Sequence, residues 1–132
     1  MKDRTTQILC SQNSLIVKLL GESIHHGVKS EQGKRSFEQA RKLVKKHLDL
    51  KKLRIYPKFK NQSYYVDLAK NCDNSMLELL KYLREIVDHC ELGMSPDEFI
   101  GDFEKVLHRL SEQLKREESD LFRLYDQRSR VA

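Results

Sequence analysis

The chain contains little that would interrupt a helix. Only five glycines and two prolines occur among its 132 residues, and tryptophan is missing. An all-β domain would need turn signals roughly every 8–12 residues, so this composition argues against one. The frequent leucine, lysine and glutamate residues favour helices instead. We therefore expect an all-α protein with long helices.

The chain also lacks long apolar runs. No stretch approaches the roughly 18 apolar residues that a transmembrane helix needs. The opening residues, MKDRTTQILC, lack the apolar centre of a signal peptide. The three cysteines, Cys10, Cys72 and Cys90, are an odd number, which favours free thiols in a reducing compartment. We expect a cytoplasmic protein without a membrane association.

The apolar spacing predicts four helices in one domain spanning residues 1–132. Their expected ranges are 5–26, 31–58, 63–91 and 96–126. Gly27 is a suitable stop for the first helix, and Ser30 or Ser36 a suitable start for the second. Ser95 and Pro96 form the clearest helix start, since serine caps and proline suits the first helical position. Short links between long helices predict an antiparallel up-down-up-down four-helix bundle.

Several polar residues fall at positions where the helical period predicts the core. A buried charge without a partner costs several kcal/mol, so we expect these side chains to contact one another. Four-helix bundles that bind metals place ligands at such positions. The residues are Asn13, His47, Lys51, Tyr82, Gln113 and Glu117.

Two segments resemble the motif of the hemerythrin-like (HHE cation-binding) family. Residues 47–57, HLDLKKLRIYP, and residues 113–122, QLKREESDLF, match its pattern. In that pattern a histidine precedes paired acids by four and five residues, followed by apolar and aromatic residues. The resemblance implies a four-helix bundle with a dinuclear iron centre that binds oxygen or senses iron and oxygen.

The departures from this pattern argue against the iron. Lys51 and Lys52 stand where the family has acids, and Gln113 stands where it has histidine. A lysine ammonium has no lone pair to donate. We therefore expect neither metal nor cofactor and no enzyme activity. We hypothesise that a Lys51–Glu117 ion pair, with the neighbouring core polar residues, fills the space that iron takes in the family.

Two metal alternatives stay open. One is an atypical non-haem iron or oxygen-binding site made of His47, Glu117 and Tyr82. The other is a zinc site at one bundle end, where antiparallel helices would gather histidines and a cysteine without any strong zinc signature. The residues for the zinc site are His25, His26, His89 and Cys90.

Positive charge is concentrated in the second helix. The chain carries +5 overall, but eleven basic and two acidic residues between Lys34 and Lys60 give that stretch +9 and leave −4 elsewhere. Such a face is either simply solvated or meets an acidic surface. We favour a protein partner over nucleic acid, because no nucleic-acid-binding motif accompanies the charge. The candidate partner-binding residues are Arg41, Lys42, Lys45, Lys46, Lys52 and Arg54.

A second, weaker resemblance suggests the kind of partner. SFEQARKLVKKHLDL and LKREESDLF are similar to segments of the small helical-bundle anti-sigma regulators of bacteria. That resemblance implies a sigma factor as partner and a role in transcription regulation. The sequence thus predicts a non-catalytic regulatory module that binds another protein, with its oligomeric state open.

Overall fold

A computed structural model of the chain consists of helices and short turns over the residues that it describes. These are residues 3–27, 30–59, 61–91 and 97–131, and no strand occurs among them. The α-helices are α1 (Arg4–His25), α2 (Glu31–Leu50), α3 (Ser63–Glu91), α4 (Asp97–Glu117) and α5 (Arg123–Val131). The predicted all-α class is confirmed. The helix start expected at Ser95 and Pro96 lies outside the described residues.

Two glycines lie close together where α1 ends and α2 begins. Gly27 has a φ of 91°, a left-handed conformation that glycine adopts without strain. A Cβ on Gly33 would lie 1.9 Å from the carbonyl oxygen of Gly27. The Ser30 hydroxyl accepts a hydrogen bond from the Gly33 N–H at 2.9 Å and caps α2. Of the two predicted starts for this helix, the structure therefore uses Ser30.

Two predicted helices are interrupted by wider π-helical turns. Lys51–Ile55 and Glu118–Phe122 are π-helical, and Tyr56–Phe59 is a 3₁₀ turn. The expected continuous helices over 31–58 and 96–126 are therefore wrong in their detail. Pro57 explains the first break, because proline has no N–H to donate to the carbonyl four residues earlier. π-Helical turns often occur at functional sites.

The helices pack so that each of the four long ones contacts two others. α1 packs mainly on α2, and α3 mainly on α4, with further contacts between α1 and α4 and between α2 and α3. The apolar side chains form two clusters. The first contains Ile16, Leu19, Leu20, Ala40, Val44, Cys72, Met76, Leu79, Phe103, Leu110 and Leu114. The second contains Leu9, Ile55, Phe59, Ala69, Leu121, Phe122 and Tyr125.

Helix α5 is tied to the rest of the chain by polar contacts. Asp126 accepts hydrogen bonds from the Thr6 hydroxyl at 2.6 Å and from the Asp3 N–H at 2.9 Å. The Arg128 guanidinium donates to the Gln62 side chain at 2.6 Å and lies 4.8 Å from the centre of the Phe59 ring. These contacts join α5 to the start of α1 and to the segment before α3, beside the second apolar cluster.

None of the described helices is long and apolar enough to cross a membrane.

Candidate functional site

A layer of buried polar residues separates the two apolar clusters. We call this set the polar layer: Asn13, His47, Lys51, Asp73 and Glu117. Each of the four long helices, with the π-helical turn after α2, contributes at least one member. In α4, for example, Glu117 lies between Leu114 of the first cluster and Leu121 of the second. All five residues are buried, so the layer places charged and polar side chains between two apolar clusters.

Lys51 is the centre of the polar layer. Its side chain is 0% exposed, and its Nζ lies 2.5 Å from Asp73 Oδ1 and 2.5 Å from Glu117 Oε2. The ion pair expected between Lys51 and Glu117 is therefore present, and a second carboxylate joins it. Asp73 was missed from the sequence, although it follows Ala69 by four residues and precedes Met76 by three. That core spacing was the available signal.

In this cluster, burial and ion pairing act in opposite directions on the pKa of Lys51 and on that of Glu117. Burial lowers the pKa of Lys51, but the charges of Glu117 and Asp73 outweigh it, so the net pKa shift is upward. Burial raises the pKa of Glu117 to about 7, and Lys51 opposes that rise only in part. Lys51 is thus a stable ammonium, whereas Glu117 gains a proton more easily than an exposed glutamate.

Two further residues complete the surroundings of the carboxylates. The Tyr56 hydroxyl donates a hydrogen bond to Asp73 Oδ2. Burial is the larger cause, and this hydrogen bond the second, of the raised pKa of Tyr56. The Cys72 thiol donates to the Gln113 carbonyl oxygen at 3.5 Å. Burial raises the pKa of Cys72 to about 12, so it is a thiol at neutral pH and a poor nucleophile.

His47 is buried beside this cluster as a neutral ring. Burial, helped by the charge of Lys51, lowers its pKa to about 3. Its Nδ1 lies 3.0 Å from Gln12 Oε1, which assigns the ring proton to Nδ1 because the amide oxygen only accepts. Among the described residues, no group hydrogen-bonds to His47 Nε2.

The other predicted core residues, Asn13, Gln113 and Tyr82, have different surroundings. Asn13 is 2% exposed and donates to Glu118 Oε1 at 3.2 Å. The buried side-chain oxygen of Gln113 has no hydrogen-bond partner within the described part of the chain. Tyr82 is partly buried and packs against the first apolar cluster, where its ring stacks on Phe103 with centroids 6.4 Å apart. The expected place of Tyr82 beside the ion pair has no support in these contacts.

These residues do not fit the dinuclear iron centre that the hemerythrin-like pattern implies. Across the described ranges, no three histidine, cysteine, aspartate or glutamate side chains are close enough to hold one metal ion. The two carboxylates that could serve as ligands both contact the Lys51 ammonium, which cannot coordinate a metal. For the zinc alternative, His25 and His26 stack edge to face with ring centroids 5.4 Å apart. The side chains of His89 and Cys90 lie outside the described residues.

The basic residues of α2 and its π-helical turn lie on the outside. All six predicted partner-binding side chains, from Arg41 to Arg54, are exposed. Arg41, Lys42, Lys45 and Lys52 line a groove of about 480 Å³ between α2 and α3. Lys46 and Arg54 do not line it. Chemically, this surface offers positive charge around an apolar floor.

Comparison of the chain with models of known protein families, with curated proteins and with solved structures finds no match. The hemerythrin-like and anti-sigma resemblances therefore stay hypotheses that rest on the quoted segments. The polar layer and the basic groove are the two features from which a function can be argued.

Proposed function

We propose that the protein is a single-domain, antiparallel up-down-up-down four-helix bundle of hemerythrin-like pattern that works without catalysis and without metal. Its role in this proposal is that of a regulatory module that binds another protein. The pairwise packing of the four long helices supports the bundle. The Lys51 ammonium between two carboxylates supports a metal-free interior.

The observation that carries the proposal is the contrast within one stretch of helix. Lys51 is neutralised inside the protein by two carboxylates, whereas the six neighbouring basic residues are exposed. Exposed charges of one sign favour association with a protein surface of the opposite charge. An acidic protein is therefore the partner that we propose, and the weaker resemblance favours a sigma-factor-type partner in the bacterial cytoplasm.

The test is partner capture with the tagged chain from its native host, together with metal analysis of the same preparation. We expect an acidic partner that Arg41→Glu/Lys45→Glu no longer recovers. Lys70→Glu/Lys105→Glu changes two exposed lysines on other helices and should recover it fully. Equal recovery by both double variants would contradict the proposal.

The metal analysis decides between this proposal and the iron alternative. We expect no stoichiometric metal and no visible absorption. Two iron ions per chain with an iron–oxo absorption would instead support oxygen or iron binding at His47, Glu117 and Tyr82. The stacking of Tyr82 on Phe103 disfavours that result.

A further inference from the structure

We infer that the groove between α2 and α3 binds an acidic amphipathic helix of the partner. This inference rests on the proposed function and narrows it to one groove and one class of ligand. It follows from the shape, the floor and the rim of the groove.

The floor of the groove is apolar and partly open to solvent. Val44 and Leu48 from α2 and Leu77 and Leu80 from α3 line it. Leu77 is 49% exposed and Leu48 and Leu80 are partly exposed, whereas Val44 is buried. Three neighbouring leucines that are at least partly exposed in one groove, with basic residues around them, form a surface that gains by being covered.

The rim is strongly basic. Arg41, Lys42, Lys45 and Lys52 stand along it, and among the described residues Asp49 is the one acid that lines the groove. Arg41 is paired with Glu38, whose pKa it lowers by hydrogen bonding. No described carboxylate lies within salt-bridge distance of Lys42, Lys45 or Lys52. Three cations on the rim are thus available to a ligand.

The dimensions suit a short helix. Arg41 and Lys52 are eleven residues apart, which corresponds to about 16 Å or three helical turns. A helix laid in a groove between two others places apolar residues at i, i+3, i+4 and i+7 on the floor. Acidic residues flanking that stripe would reach the lysines of the rim. Nucleic acid would use the rim but gain little from the leucine floor.

A synthetic peptide tests this directly. The probe is a fluorescein-labelled 16-residue helix with leucines at i, i+3, i+4 and i+7 and glutamates beside them, measured by fluorescence anisotropy. We expect it to bind at least tenfold more tightly than a scrambled peptide of the same composition. Equal binding of the two peptides, no binding of either, or tighter binding of an oligonucleotide of equal charge would overturn the inference.

Variants locate the binding to the groove. Leu77→Glu places a negative charge on the floor, which would repel the glutamates of the peptide, and should weaken peptide binding at least tenfold. Lys45→Glu should weaken it at least tenfold as well. The matched control is Leu15→Glu, which changes an exposed leucine of α1 and should stay within twofold of wild type. Circular dichroism and melting curves check that each variant is folded. An unchanged affinity for Leu77→Glu would overturn the inference.

The native partner separates this inference from the proposed function. If Leu77→Glu keeps the partner while Arg41→Glu/Lys45→Glu loses it, the basic face binds protein but the groove is not the site. If neither variant loses the partner, both the groove and the proposed function are wrong.

Discussion

Lys51 and Lys52 are identical neighbours in the chain with opposite surroundings. Lys51 is 0% exposed and contacts two carboxylates, whereas Lys52 is exposed and lines the basic groove. Both belong to the same π-helical turn, in which successive side chains point in different directions. The comparison teaches that a run of basic residues in a helix contains two populations. The inward one needs partners, and the outward one remains available to a ligand.

The inward lysine needs more than one partner because burial removes it from water. An ammonium in the interior is stabilised only when close carboxylates and hydrogen bonds replace its hydration. Asp73 and Glu117 together supply that replacement, and Tyr56 in turn donates to Asp73. The cluster links α3, α4 and the turn after α2 at one depth. It therefore specifies which helix faces meet.

Charge reversal at the two lysines should give the largest difference. Lys51→Glu would leave three buried carboxylates without a cation, and breaking a buried pair typically costs about 3–5 kcal/mol. Lys52→Glu, the control, should change the free energy of unfolding by less than about 0.5 kcal/mol, as most surface substitutions do. Urea unfolding followed by circular dichroism measures both. Equal midpoints for the two variants would remove the distinction between the lysines.

The next largest effect should come from His47, which makes the free energy of unfolding depend on pH. Its folded pKa of about 3 lies below its unfolded value, so between pH 6.5 and 3 the unfolded state binds more protons. Stability relative to His47→Gln should therefore fall as the pH is lowered, by up to about 1.4 kcal/mol per pH unit. Unfolding curves at pH 7, 6 and 5 test this. Parallel profiles would mean that His47 is not a buried neutral ring.

Glu117 should change the pH dependence of stability in the direction opposite to His47. It therefore gives a second check on the same experiment. Its folded pKa of about 7 lies above the unfolded value of 4.5, so its contribution increases as the pH falls from 7 to 4.5. The two groups offset each other over much of this range. Removing only Glu117, by Glu117→Gln, should make the acid sensitivity steeper than in wild type. A shallower profile in that variant would contradict the assignment.

The smallest effect should come from the hydroxyl that supports Asp73. Tyr56→Phe removes one hydrogen bond to a charged acceptor, which we expect to cost about 1–2 kcal/mol. Tyr64→Phe alters a tyrosine that is 61% exposed and should cost nothing measurable. Thermal melts of the two variants make the comparison. A loss for Tyr64→Phe as large as for Tyr56→Phe would show that the Asp73 contact is not responsible.

The helical fold and part of the polar layer could be predicted from the sequence. The period of apolar residues indicates the helices and places Lys51 and Glu117 inside, because both keep core spacing with flanking leucines or isoleucines. Asp73 was missed because an acid beside exposed polar residues reads as solvent-facing unless its distance to Ala69 and Met76 is counted. Burial of a polar group depends on its partners on other helices, which a local pattern does not contain.

The breaks in the helices and the place of Tyr82 show another limit. A π-helical turn inserts one extra residue and so shifts which side chains face the core. The apolar period of the sequence is also compatible with a continuous α-helix, so it does not reveal these turns. Pro57 signals the first break, but no comparable residue precedes Glu118–Phe122. The helical period predicts Tyr82 among the core polar residues, and it does not show that the ring stacks on Phe103.

The most direct test of the account is the ionisation of Lys51 in the folded protein. Nuclear magnetic resonance of the ¹³Cε and ¹⁵Nζ atoms follows each lysine separately as the pH rises. We expect Lys51 to remain an ammonium beyond the pH of about 10.4 at which an unperturbed lysine loses its proton. A neutral amine at Lys51 near pH 7, or loss of its proton well below a pH of about 10.4, would contradict the paired interior on which the account depends.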